Sequence, residues 1–181
     1  MLSVRVSICL PLYSLRIHRA QTIGTYLAAK CVCCNGRRTN LMLWGPTALE
    51  RFRSMHLIYS QGAHILLGMF KRSDRHTLEE ACLLLKETRE QALDSVAFLL
   101  ESMIDEKGTE VTDAEIDGVL AELKIPRERY LRVSAKTGEG IPELERALTE
   151  VGCEILDSMP PTMSEPLSND NDGGERSCTI C

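Results

Sequence analysis

The stretch LAAKCVCCNGRRTNLMLW, residues 27–44, predicts a β-hairpin. Asn35-Gly36 lies between its two halves and supplies the pair of positive-φ residues that a tight two-residue turn requires. A hairpin contributes antiparallel pairing, so we expect it at one edge of a larger sheet.

Strand-like and helix-like segments alternate after the hairpin. Apolar runs of strand length occupy residues 63–70, 95–100 and 130–134. Thr77 with Glu80, and Thr112 with Glu115, match capping boxes ahead of two helical patterns, and Pro142 suits the first turn of a third helix. The alternation predicts an α/β sandwich with a mainly parallel sheet, one hairpin and helices on both faces.

The two ends of the chain differ from its middle. The segment VRVSICLPL, residues 4–12, is expected to form an edge strand that Pro11 ends. Residues 159–181 are rich in Pro, Ser, Asn, Asp and Gly and are expected to form a disordered tail. We therefore expect one domain over residues 1–158.

Composition excludes several classes of protein. The 181 residues are 44% hydrophobic and 26% charged, as in a globular domain. The net charge of −5 argues against nucleic-acid binding, which needs a basic face. No apolar run is long enough for a transmembrane helix, and the three arginines among the first 21 residues argue against a secretion signal.

The chain contains eight cysteines. Cys31, Cys33 and Cys34 are crowded together, but the other C-x-x-C spacing, Cys178–Cys181, lies at the far end of the chain and not at the short interval typical of a zinc site. We therefore expect buried or edge thiols in a reduced, cytosolic protein, and no metal site.

Three segments carry a resemblance to a known family. They are TIGTYLAAKCVCCNGRRTNLMLW (22–44), ERFRSM (50–55) and YLRVSAKTGEGIPELERAL (130–148). In this order and spacing they resemble the Rab-type small GTPases of the Ras superfamily, over residues 21–156. The resemblance implies a Ras-like, P-loop NTPase-type fold, guanine-nucleotide and Mg²⁺ binding, a prenylated tail and a role in vesicle traffic.

The phosphate side of the family's site is largely missing. The sequence has no Gly-Lys pair, so the loop G-x-x-x-x-G-K-[ST] is absent, and the fold is expected to be truncated at its N-terminus. Thr22 matches the family's Mg²⁺ and γ-phosphate contact, or is merely a turn residue. Gly45 replaces the metal-binding Asp, Ala48 a phosphate-contacting Gly, and Leu49 the Gln that orients water.

The guanine side is half preserved. Ser102 and Met103 stand where the family has Asn and Lys, whereas Asp105, which would accept from the guanine N1–H and N2–H, is kept. Asp105 could also be an exposed loop acid, and the intact SAK loop could serve only folding. The residues assigned to nucleotide binding by resemblance are Thr22, Asp105, Ser134, Ala135 and Lys136.

The last four residues, CTIC, have the form of a prenylation box. Cys178 is the expected lipid site, with Cys181 as a second one; the alternative is an inert pair of thiols. The preceding segment SNDNDGGER is acidic, so one lipid alone would anchor the protein only marginally.

These features favour a Rab-like protein of membrane traffic that binds GTP or GDP and Mg²⁺ weakly or not at all, does not hydrolyse GTP, and acts through partners. The expected partners are effectors or prenylation chaperones, on the cytoplasmic face of intracellular membranes and in a cytosolic pool. One alternative is a working GTP-binding switch, and another is an incomplete small GTPase sequence.

Overall fold

The computed structural model describes residues 3–9, 25–34, 37–46, 58 and 60–159 of the chain. Its strands are β1 (Ser3–Cys9), β2 (Thr25–Cys34), β3 (Arg37–Pro46), β4 (Ile65–Lys71), β5 (Val96–Ser102) and β6 (Tyr130–Arg132). Its helices are α1 (Arg75–Gln91), α2 (Asp113–Glu122) and α3 (Ile141–Ser158), with a short 3-10 turn at Arg127–Arg129.

The six strands form one sheet in the order β2-β3-β1-β4-β5-β6. The predicted hairpin is confirmed, since β2 and β3 pair antiparallel from Cys34 opposite Arg37 to Thr25 opposite Pro46. The other neighbouring strands pair parallel. The predicted α/β fold with a mainly parallel sheet and one hairpin is therefore confirmed.

The prediction that the N-terminal segment forms an edge strand is wrong. β1 lies inside the sheet and pairs in parallel with β3 on one side and β4 on the other. Val4 and Val6 are completely buried. The apolar residues of β1 fill the middle of a core, which an edge position would leave half exposed to water.

Helices cover both faces of the sheet. One core lies under α1 and α2, and the other lies under α3. The first core is built largely from Leu66, Phe70, Leu85, Leu99 and Ile116. The second is built largely from Val4, Val6, Leu67, Phe98, Leu148 and Val151.

Two of the three predicted helix starts are confirmed. The capping box of Thr112 and Glu115 is present in full, and Pro142 lies in the first turn of α3. The predicted box at Thr77 is wrong, because α1 begins earlier, with the Asp74 side chain accepting from the His76 N–H at 3.1 Å. Thr77 is instead buried, and its hydroxyl donates to the Asp74 carbonyl at 2.7 Å.

The cysteines only partly follow the expectation of reduced thiols. Cys31 and Cys33 are exposed on β2 and Cys82 is buried on α1, and none of these three is in a disulfide. Cys153 on α3, however, is disulfide-bonded. Spacing along the chain does not report which thiols folding brings together.

Across the ranges described, no helix combines the length and apolarity needed to cross a membrane. Those same residues contain no group of three or more His, Cys, Asp or Glu side chains placed to hold a metal ion.

Candidate functional site

The loops that follow β5 and β6 meet at one edge of the sheet. The two strands are parallel neighbours, so their carboxyl ends lie side by side. Asp105 comes from the first loop and Ser134 from the second. The Ser134 hydroxyl donates to Asp105 Oδ1 at 2.5 Å, and Ser134 itself is completely buried. The structure thus joins two residues that lie 29 positions apart in the chain.

Lys136 approaches the same carboxylate from the solvent side. Its Nζ lies 3.5 Å from Asp105 Oδ2, and its side chain is 83% exposed against 15% for Asp105. The hydrogen bond from Ser134 is the main cause that lowers the pKa of Asp105, and the charge of Lys136 adds to it. Asp105 is therefore an ionised acceptor at neutral pH, with an exposed cation beside it.

The loop that carries Ser134, Ala135 and Lys136 is held in shape by its own backbone. The Ser134 N–H donates to the Glu139 carbonyl at 2.9 Å, and the Gly138 N–H donates to the Ser134 carbonyl at 2.9 Å. The loop ends at Gly140, whose φ is +74°, where a Cβ would lie 1.9 Å from the Arg132 carbonyl oxygen. Ala135 is exposed at the tip. This rigidity serves folding, and it would equally present backbone N–H groups to a ligand.

The two residues that depart from the family's base-reading motif are used differently here. The Ser102 hydroxyl donates to the Phe70 carbonyl at 2.9 Å, so this side chain ties β5 to β4. Met103 has a φ of +58°, and its carbonyl accepts from the Glu106 N–H at 2.9 Å. The backbone therefore still makes a tight turn that presents Asp105, without the amide and ammonium groups of the family.

The phosphate side falls mostly outside the described residues. Thr22, Ala48 and Leu49 all lie outside them. The expected lipid sites, Cys178 and Cys181, also lie outside the described residues. Gly45 lies within β3, opposite Tyr26 of β2. A glycine has no side chain that could bind a metal ion, so this position offers no carboxylate to Mg²⁺.

A buried charge cluster next to the loop was not predicted from the sequence. Glu101, only 2% exposed, accepts from the Tyr130 hydroxyl, from Arg132 Nη2 at 3.2 Å and from Arg72 Nη1 at 3.5 Å. Arg72 also contacts Asp113 at 2.7 Å. Burial is the main cause that raises the pKa of Tyr130, followed by its bond to Glu101. In the sequence, the one feature that pointed to this cluster was the glutamate within the mainly apolar strand VAFLLES.

Arg72, Glu101 and Arg132 of this cluster line an open pocket of about 320 Å³. The pocket lies against the loop 103–109, which also carries Asp105, and Lys107 and Thr109 are among the residues that line it. Most polar groups of the cluster bond to one another, so we assign it a structural role in holding β4, β5, β6 and the start of α2 together.

Comparison with known proteins gives the family. Residues 14–154 match the family model described as Ras family. The Ras-related protein SEC4 of Saccharomyces cerevisiae is 30% identical over 138 residues, which are 76% of this chain and 63% of SEC4. The Ras-related protein Rab-18 of Lymnaea stagnalis is 28% identical over 170 residues, 90% of this chain and 80% of that protein.

A third relative matches over a smaller share of its length. The Ras-related protein Rab-26 of Drosophila melanogaster is 32% identical over 120 residues, 65% of this chain and 30% of the relative. The chain thus spans less than two thirds of several curated relatives that it matches. The protein belongs to the Ras family, and its resemblance to the Rab-type small GTPases is confirmed.

Proposed function

We propose that this protein is a Rab-like member of vesicle and membrane traffic that acts by binding partners, with weak or no guanine-nucleotide binding and no GTP hydrolysis. The observation that carries the proposal is the asymmetry of its site. Asp105, Ser134 and Lys136 come together as a guanine-reading half would require. The sequence has no loop of the form G-x-x-x-x-G-K-[ST] to bind phosphate.

The surviving contacts are too few for tight binding. A hydrogen bond to a charged group contributes about 1.5–3 kcal/mol, so two contacts from the base would give only millimolar-class affinity. A phosphate cradle of backbone N–H groups and a bound Mg²⁺ supply the larger share in nucleotide-binding proteins of this kind. We therefore expect a dissociation constant for GTP or GDP no tighter than about 10 μM.

Hydrolysis needs groups that the sequence replaces. Leu49 can neither donate nor accept a hydrogen bond, so it cannot orient an attacking water as a glutamine does. Gly45 offers no oxygen to Mg²⁺. Leu49→Gln alone should restore no GTPase activity, because the phosphate-binding loop would still be missing.

The tail supplies the expected link to membranes. Prenylation of Cys178, with a second lipid on Cys181, would place the protein on the cytoplasmic face of intracellular membranes and leave a cytosolic pool. Prenylation chaperones and effectors are the partners that fit such a protein. The acidic segment before Cys178 gives no electrostatic attraction to anionic lipids.

The test is the nucleotide content of the purified full chain, followed by titration with a fluorescent guanine nucleotide. We expect no bound nucleotide and, at most, weak binding that Asp105→Ala removes. The matched control is Glu106→Ala, which changes the neighbouring acid of the same loop. Co-purified stoichiometric GDP would contradict the proposal.

The second candidate is a working GTP-binding switch. The hydrogen bond between Ser134 and Asp105 favours it, because this bond holds the carboxylate that would bind the guanine base. Such a switch requires phosphate binding by residues other than the familiar loop. GTP would then bind much more tightly than guanosine in the same titration, whereas equal affinities for the two would exclude any phosphate contribution.

A further inference from the structure

β2 is the outermost strand of the sheet on the hairpin side. It is ten residues long, and among the described residues it pairs with β3 alone. Ala29, Lys30 and Cys31 are exposed, and Leu27 is 47% exposed. An edge strand of this length presents a row of backbone N–H and C=O groups on which another strand can pair.

The devices that usually protect such an edge are weak in β2. The strand contains no proline and no glycine, and its register with β3 runs without a bulge from Thr25 to Cys34. Its single charged residue is Lys30. The Lys30 ammonium forms an ion pair with Glu145 on α3 of the same molecule, but both side chains are nearly half exposed, so its charge is only partly offset. The edge is therefore ten residues long, free of bulges, and carries a single charged residue, Lys30.

We propose that the β2 edge pairs antiparallel with β2 of a second copy of this chain, which makes one sheet continuous across a two-fold axis. β2 can pair with the β2 strand of a second copy because the residues on either side of Lys30 are small or apolar. In such a pair, residues that face each other lie on the same side of the sheet, so exposed Ala29 and Cys31 meet residues from the same exposed side.

Charge narrows the register of this pair. A two-fold axis at Lys30 would place two like charges opposite each other, which is unfavourable. An axis at Ala29 or at Cys31 instead places Lys30 opposite Ala28 or Val32 of the second copy. Ala29 then faces its own copy in the first register, and Cys31 faces its own copy in the second.

The experiment measures the mass of the full chain by light scattering across a wide concentration series, and denaturing gel electrophoresis without reductant verifies that no disulfide joins two copies. We expect the mass to rise to twice that of the monomer. The double variant Ala29→Lys/Cys31→Lys, which opposes like charges in either register, should weaken dimerisation at least tenfold. Ala29→Lys alone should weaken the dimer mainly if the axis lies at Ala29, and Cys31→Lys alone mainly if the axis lies at Cys31.

Two controls separate charge from mere substitution. Ala29→Ser/Cys31→Ser changes the same positions without charge and should still dimerise. Leu93→Lys adds a charge at an apolar side chain that is 87% exposed on the turn after α1, and it should behave as the wild type. Circular dichroism verifies that each variant is folded, and Ala29→Glu/Cys31→Glu replaces the lysine variant if that one is not.

Hydrogen exchange of the β2 amides distinguishes the remaining possibilities. Slower exchange of these amides at concentrations that form the dimer supports the proposal. A monomer at every concentration would overturn it, whether the β2 amides exchange rapidly or are covered by another segment of the same chain. A dimer that the double lysine variant leaves unchanged would also overturn it, because the contact would then lie elsewhere.

Discussion

Replacing Glu101 by glutamine should destabilise the fold by about 3 kcal/mol. The carboxylate lies within the sheet with 2% of its side chain exposed and accepts from Arg72, Tyr130 and Arg132. Glutamine keeps the shape but carries no charge, and its NH₂ group is placed against other donors. The arginines then lose the buried charge that balances them.

The magnitude follows from how much each partner can recover. Breaking a buried ion pair by removing one member costs about 3–5 kcal/mol. Arg132 is 55% exposed and regains water, and Arg72 keeps its contact of 2.7 Å with Asp113. Both facts favour the lower end of that range. A loss of about 3 kcal/mol corresponds to about 6–12 °C in melting temperature for a chain of this length.

The assay is urea unfolding followed by circular dichroism, with the midpoint as the measured quantity and an unchanged slope as the sign of a two-state comparison. Glu79→Gln is the matched control, because Glu79 is exposed on α1, and it should change stability by less than about 0.5 kcal/mol. If Glu101→Gln lost less than about 1 kcal/mol, the cluster would not be the structural link we assign.

Three further outcomes are expected. Gly140→Ala should cost about 2 kcal/mol or more in urea unfolding, since its φ is +74° and a Cβ would meet a backbone oxygen at 1.9 Å, whereas Gly118→Ala, in open space on α2, should stabilise by about 0.5–1 kcal/mol. Burial, and then the charge of Arg5, lower the pKa of His64, whose Nδ1 accepts from the Arg5 N–H. The folded protein thus binds fewer protons than the unfolded chain, so stability should be complete above about pH 6.5, fall below it, and lose this dependence in His64→Leu. Cys178→Ser, with the last cysteine also replaced, should move the protein from membranes to the soluble fraction, and salt should hardly affect wild-type attachment, since a prenyl chain contributes about 0.8 kcal/mol per buried CH₂ without help from charge. An unchanged membrane fraction in that variant would contradict the lipid anchor.

The local features of the fold could be predicted because each depends on a few neighbouring residues. Asn35-Gly36 specifies the hairpin through backbone conformations that only such residues adopt readily. Thr112 and Glu115 satisfy each other's backbone N–H groups within one helical turn. The alternation of apolar strands with capped helices was therefore enough for the fold class, and the motifs were enough for the family.

The site could be predicted only in part. The residues themselves were identified through the family resemblance, not from spacing, since Asp105 and Ser134 lie in separate loops. The Glu101 cluster was missed, because a single glutamate in an apolar strand does not reveal which cations the neighbouring strands bring to it.

By itself, then, the sequence determined the hairpin, the order of strands and helices along the chain, and the family, all of which are written in short contiguous segments. Only the tertiary structure decided that β1 lies inside the sheet, that Asp74 and not Thr77 begins α1, and that Cys153 is in a disulfide. The physical reason is that a strand's neighbours, a buried ion's partners and a thiol's partner depend on contacts between distant parts of the chain, which no local pattern contains.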